Sequence, residues 1–479
     1  MRADHCLAAP PSLSFRTHEL PEGSLEGVAL INLLAGREEV VSWVHEGRGL
    51  IGLRRALTIE AHGDERIEAL RAAWRSVIGA AWWRDALVRP GTGPVALGTI
   101  SFSPASRPPS VLAVVAGETG PTRSGGSGPL RRRGLDDLPL VPEVLIGLDD
   151  DGAWLTTAVS AATGGVEPEH PDPEALIKAL VTEARTAIGR EHEDGDGDAG
   201  VTAVETGALS EEQWCRTVAR TQERMRSGQA RKVVLARDVL ARPTAPLATG
   251  TVLRRLASDY PSTWTFAVDQ MVGASPELLL RLRDRRLTSR VLAGTARRRA
   301  GEDAPATARL AAWLEGSEKN NREHELARAS AITALEPLCS VVNAPARFVL
   351  SLPNVLHLAS DVTGVVAGDT GALALVDALH PTAAVCGTPT PAAARLIEEA
   401  ESMDRGRYAG PVGWVDWHGE GEWCIALRSA QLPAGGPGPH SPARVFGGGG
   451  IMPDSEPADE LAETTAKMRP VLGALGVSP

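Results

Sequence analysis

The alternation of hydrophobic and polar positions changes character after an acidic stretch, EHEDGDGDAG, at 191–200. Before it, short apolar runs (VALINLLAG, GLIGLRRAL, VLAVVAG, EVLIGL) are separated by turn residues and carry no catalytic motif. After it, LSEEQWCRTVARTQERMRSG places Ser210 three residues before Gln213, the capping-box spacing that starts a helix. Trp214, Val218 and Met225 then recur at helical spacing, which predicts one buried face. KVVLARDVLA, rich in β-branched residues, predicts a strand. TWTFAV, ELLLRL, RLTSRVLA, ARFVLSL, PVGWVDW, WCIALRSA and ARVFGGGG predict further strands, and 317–336, 390–401 and 456–472 predict helices. The alternation is irregular and lacks βαβ spacing, so the fold class is α+β rather than a doubly wound sheet. The change of character divides the chain into an N-terminal segment, 1–206, and a region bearing the chemistry, 207–479.

Three stretches read as insertions: GETGPTRSGGSGPLRRRG at 118–135, the acidic run at 191–200, and PAGGPGPHSPAR at 433–444. The run Arg131–Arg133 reads as solvated loop charge. A net charge of -11 argues against nucleic-acid binding, yet leaves room for a basic pocket that takes a small anion. The five cysteines show no CxxC pair, which predicts reduced thiols in a cytoplasmic setting. No run of about 18 apolar residues is present to span a membrane. Neither GxGxxG nor a Walker loop supports nucleotide binding.

Four features carry chemistry. Lys232 opens a predicted strand; alone, it reads as an edge lysine. Glu460 and Glu463 are three apart, and Lys467 lies four beyond Glu463, so all three share one helical face. By itself this is a solvated face with one ion pair. Asn320 and Glu323 repeat the spacing on another helix, so oxygen donors from two helices could converge on one hard cation such as Mg²⁺. His324 beside them reads as a core residue. LAGTARRR and FGGGGI offer glycines where backbone N–H groups can approach an anion, although each alone reads as a turn.

In order and spacing these pieces resemble the chorismate-utilising enzymes. The matching segments are KVVLAR (232–237), GASPELLL (273–280), LAGTARRRAG (292–301), SEKNNREH (317–324) and VLHLASDVTG (355–364). They continue through LHPTAAVCGTPTPAAARLI (379–397), DRGRYAGPVGW (404–414), IALRSA (425–430) and GGGGIMPDSEPADELAETTAK (447–467). The resemblance implies two large β-sheets packed together with helices outside, to which 1–206 contributes, and one buried site built from the C-terminal motifs. It also implies displacement on chorismate, in which a nucleophile adds at ring C2 while the C4 hydroxyl leaves. Lys232 resembles the base, Glu277 the acid, and His357 a histidine facing the ring. A lysine base needs a lowered pKa and a glutamic acid a raised one, so both should be buried.

The same resemblance assigns Mg²⁺ to Glu323, Glu460 and Glu463, with Lys467 near the metal and the ring carboxylate. This chain has Asn320 where the family usually has Asp or Glu. Gly294 and Thr295 resemble the site for the ring carboxylate. Arg428, Tyr408, Gly448 and Gly449 resemble the clamp on the enolpyruvyl carboxylate, for which a guanidinium fork is suited.

Within the family, anthranilate synthases generally carry Gln at the position of Lys232. Aminodeoxychorismate synthases often carry Lys at that of Ala293. Lys232 with Ala293 therefore points to water as the nucleophile, with no glutamine amidotransferase subunit supplying ammonia. Ala384 and Val385, on the floor of the matched pocket, resemble the small apolar pattern of isochorismate synthases. Salicylate synthase and anthranilate synthase component I are the alternatives, and a non-catalytic chorismate-binding protein is the remotest. The LLES-type motif for tryptophan is not found, so inhibition by tryptophan is not expected.

Overall fold

The computed structural model describes residues 12–53, 56–114, 144–160, 168–193, 201–298, 303–351 and 355–477. The insertion at 118–135, with Arg131–Arg133, and most of 191–200 lie outside them. Two large sheets dominate, one of 13 strands and one of 10, and all but one of their recorded strand pairings are antiparallel. The larger sheet runs from Val201–Thr206 through Lys232–Pro243, Ala443–Ile451, Ser429–Gln431, Met271–Ser275 and Trp264–Val268 to Val40–His45 and beyond. The smaller runs from Cys339–Asn343 through Val355–Val366, Arg286–Arg297, Leu278–Arg283, Gly421–Ile425 and Pro411–Asp416 to Val95–Thr99. Strands from before and after residue 206 thus pair within both sheets.

The apolar faces of the two sheets meet in one core that holds Phe15, Trp43, Leu97, Leu280 and Trp423, all nearly inaccessible. A second core, with Leu33, Ile51, Leu180, Leu253 and Val471, lies between the other face of the larger sheet and the helices Pro173–Glu193, Thr249–Asp259 and Pro457–Ala474. Each such side chain contributes roughly 1.5–3 kcal/mol on burial. Central strands therefore have two buried faces, which is why Lys232–Pro243 reads as an unbroken apolar run. Ser210 caps the Glu211–Arg226 helix with both hydrogen bonds of the box. The other predicted helices appear at Glu318–Leu335, Thr390–Ala400 and Pro457–Ala474. WCIALRSA differs from the single strand expected. It divides into Gly421–Ile425 and Ser429–Gln431, with Arg428 in the left-handed region (φ +48°) at the crossing between sheets. Among the described residues no helix is long and apolar enough to cross a membrane.

Candidate active site

Two glycine segments that read as turns lie inside strands. Arg286–Arg297 pairs with Val355–Val366 in a register that slips between Leu292 and Thr295. Gly294 sits in that bulge at φ +83°, where a Cβ would come within 3.1 Å of Asn320. FGGGGI belongs to Ala443–Ile451, paired with the Lys232 strand so that Gly449 faces Leu235 and Gly450 faces Val234 across the ladder. Because successive positions point to opposite faces, the four glycines serve two surfaces. A Cβ at Gly447 would lie 2.5 Å from Thr464 O, and one at Gly449 would lie 3.1 Å from Glu460 Oε2, both on the C-terminal helix. One at Gly448 would lie 3.0 Å from the Tyr408 hydroxyl, and one at Gly450 would lie 2.5 Å from Glu323 Oε1.

The second surface walls an internal cavity. Glu277, Gly294, Thr295, Glu323, His357, Ala384, Val385, Tyr408, Arg428, Gly448, Glu463 and Lys467 line it. Lys232, Gly449 and Glu460 form the layer immediately behind. Lys232 is fully enclosed, with Nζ 3.0 Å from Glu323 Oε1. Its Nζ makes no well-aligned hydrogen bond and is held against Glu323 by proximity alone. Glu277 stands where the chain crosses from Met271–Ser275 in one sheet to Leu278–Arg283 in the other. Burial pushes its carboxyl up to about 8 against the opposing pull of Lys232. A carboxylic acid that keeps its proton at neutral pH is what a general acid requires.

A chain of contacts links the polar wall. Asn320 Nδ2 donates to Ser317 Oγ (2.8 Å), while Asn320 Oδ1 accepts from the Thr295 backbone N–H (3.1 Å). Both ends of the amide are therefore engaged within the protein. Thr295 Oγ1 lies 3.1 Å from His357 Nδ1, and His357 Nε2 lies 3.5 Å from Arg428 Nη2. Arg428 has only donors, so Nε2 accepts and Nδ1 carries the ring hydrogen. Burial, reinforced by Arg428, holds His357 well below its ordinary pKa and keeps it neutral. His324 is a core residue, bridging Ala293 O and Ser360 Oγ.

At the other end, three carboxylates each meet a lysine: Glu323 with Lys232, Glu460 with Lys319 at 3.2 Å, and Glu463 with Lys467 at 2.6 Å. Burial, then the charge of Glu463, pushes Glu460 up to about 7. Burial also acts to raise Glu463, but Lys467, Lys319 and Arg428 outweigh it and leave that carboxyl below its ordinary range. Burial works against the charge on Lys319, yet Glu460, Glu323 and Glu463 together hold its pKa above the ordinary lysine value. Lys467 also donates to Gly448 O at 2.9 Å. Among the described residues, no three Asp, Glu, His or Cys side chains are grouped closely enough to hold a metal by themselves.

Sequence reasoning did not single out Lys319, Gly450 or the buried Glu401–Arg405 pair. Arg405 donates to Val234 O (2.6 Å) and Val385 O (2.9 Å), and Glu401 accepts from Ala236 N (2.7 Å). The pair thereby ties the Lys232 strand to the cavity floor. The i,i+4 spacing of Glu401 and Arg405 was the available signal.

This two-sheet body encloses a cavity lined by three glutamates, Lys467 and two arginines, Arg405 and Arg428, a setting for a small charged molecule. Residues 136–476 match the chorismate binding enzyme family, and the chain belongs to it. It is 33% identical over 341 residues to isochorismate synthase MenF of Bacillus subtilis, covering 70% of this chain and 69% of that protein. It is 37% identical over 268 residues to isochorismate synthase EntC of Escherichia coli K12, covering 54% of this chain and 66% of that one. The solved structure of MenF, the menaquinone-specific isochorismate synthase from Escherichia coli, superposes with a TM-score of 0.69 over 98% of this chain and 95% of the other. At 19% identity that likeness concerns the fold alone.

Proposed function

We propose that this enzyme is an isochorismate synthase that uses Mg²⁺ to convert chorismate to isochorismate, adding water at ring C2 as the C4 hydroxyl leaves. The observation that carries the reading is a buried amine, Lys232, set directly behind the cavity wall against Glu323, together with a carboxylic acid on that wall, Glu277, that keeps its proton to about pH 8. The similarity to isochorismate synthases and the apolar floor of Ala384 and Val385 support the same choice.

Lys232 takes the proton of the attacking water as the O–C2 bond forms. Glu277 gives its proton to the C4 oxygen as the C4–O bond breaks, and the ring double bonds shift between. Arg428 and Tyr408 hold the enolpyruvyl carboxylate beside the backbone of Gly448 and Gly449. Gly294 and Thr295 receive the ring carboxylate, and neutral His357 orients the ring. With no polar group supplied by Ala384 or Val385, nothing on that floor directs a second, lyase step.

The donor set suits Mg²⁺. The oxygens are all carboxylate, and this ion usually takes one or two carboxylates and completes its shell with water and substrate oxygens. Glu323 and Glu463 face the cavity and would hold it, with Glu460 behind them. Burial first, and then the neighbouring charge of Glu463, lift Glu460 to about 7, and a dication would offset the second of these. When bound, the ion neutralises the ring carboxylate and helps fix the ring. Water serves as nucleophile, so no amidotransferase partner is needed. The test is chorismate consumption after exhaustive chelation: turnover should vanish and return with added Mg²⁺. Full turnover in the chelated enzyme would refute the metal requirement.

A further inference from the structure

We infer that Lys319 is a displaceable counter-cation whose ammonium competes with the metal for the carboxylates of the active site and thereby couples metal binding to substrate binding. This rests on the magnesium reading above and extends it to a residue that reading does not use.

Glu323, Glu460 and Glu463 each stand against one lysine, Lys232, Lys319 and Lys467 respectively. Each of the three carboxylates thus already has a lysine partner before any cation arrives, and a dication must share or displace one of them. The three lysines differ in their freedom to leave. Lys232 is wholly enclosed, with its side chain 0% exposed. Lys467 is pinned twice, to Glu463 and to Gly448 O. Lys319 makes one contact, to Glu460 at 3.2 Å, and its side chain is 35% exposed, so rotation about its flexible stem carries the ammonium into water. It lies in the first turn of the Glu318–Leu335 helix, one turn before Glu323, and feels the charge of all three carboxylates.

Chorismate brings two carboxylates of its own. Substrate and Mg²⁺ together add no net charge to the site, whereas either alone adds two charges of one sign. The two should therefore bind with positive coupling, which by linkage is reciprocal. Removing the Lys319 charge leaves Glu460 without its lysine partner. The metal then binds readily by itself and depends less on the substrate.

Two quantities test this: the affinity for Mg²⁺ without substrate, by calorimetry on the chelated enzyme, and the Mg²⁺ concentration for half-maximal turnover at saturating chorismate. In the wild type the second should lie well below the first. In Lys319→Gln, substrate-free affinity should rise about tenfold while the half-maximal concentration changes much less, so the gap narrows. Lys319→Met should behave alike, and Lys319→Arg, which keeps the charge, should resemble the wild type. Unchanged or weaker substrate-free affinity in both Lys319→Gln and Lys319→Met would overturn the inference. Wild-type turnover that survives chelation would instead strike the magnesium reading on which it rests.

Discussion

Lys232 meets Glu323 across the bare backbone of Gly450. The ammonium and carboxylate are 3.0 Å apart, and a Cβ on Gly450 would fall 2.5 Å from Glu323 Oε1 and 3.2 Å from Lys232 Cε. Gly447, three residues earlier on the opposite face, is hemmed in by backbone, with Thr464 O at 2.5 Å from its Cβ position. The same substitution at these two glycines should therefore fail differently. Gly450→Ala meets the movable end of a side chain, so it should keep its melting temperature within a few degrees and lose turnover at least about tenfold. Gly447→Ala forces backbone apart and should cost about 1–3 kcal/mol of stability, as overpacking does. Thermal melts and initial rates on the two proteins decide this, and a reversed pattern would contradict the placement.

Lys232→Ala should lower turnover by roughly 10² to 10⁴, the usual worth of a general base. Chorismate binding should remain largely intact, since Arg428, Tyr408 and Thr295 are untouched. Single-turnover rates and equilibrium binding separate the two effects. Residual turnover above about one percent would place the base elsewhere.

Glu277 should set the alkaline limb of the pH profile. As an acid it must carry its proton, and burial holds that proton to about pH 8, so turnover should fall as pH rises through that value. Linkage gives stability the same sign. Because the folded pKa is raised above the unfolded one, about 4.3, the folded state binds more protons between the two. Stability is full below about pH 4 and declines as pH rises toward 8. Glu277→Gln should flatten that decline while removing turnover, and a steep decline persisting in the variant would show that another group causes it.

How much of this was legible in the sequence depends on the distance over which each relation acts. Glu463 and Lys467 form an ion pair on one helical face, and the Ser210 capping box is made in full, because both are local spacings. The split of the glycine run, with Gly448 and Gly450 toward the cavity and Gly449 toward Glu460, depends on strand register against Lys232–Pro243, which spacing along one segment does not encode. The N-terminal runs were visible as apolar segments. Their partners were not, since Val40–His45 pairs with Trp264–Val268, more than 200 residues away. Lys319 sat unremarked in SEKNNREH because its meaning comes from Glu460, on a different helix.

Glu323→Gln and Glu463→Gln should each raise the Mg²⁺ requirement, whereas Asn320→Ala should do so only mildly. The two glutamates face the cavity with carboxylate oxygens, while the amide of Asn320 is engaged at both ends by Ser317 and Thr295. A magnesium titration of activity ranks the three, and equal shifts at all positions would refute the ordering.

The most direct test of the central claim is the identity of the product. Purified enzyme is incubated with chorismate and Mg²⁺, with and without ammonium, and early time points are separated by chromatography. The proposed role of Lys232 as the base for water, Ala293 in place of a nucleophilic lysine, and the apolar floor of Ala384 and Val385 predict isochorismate as the main early product, indifferent to ammonium. Stoichiometric salicylate and pyruvate, or a product that forms only when ammonium is present, would contradict it.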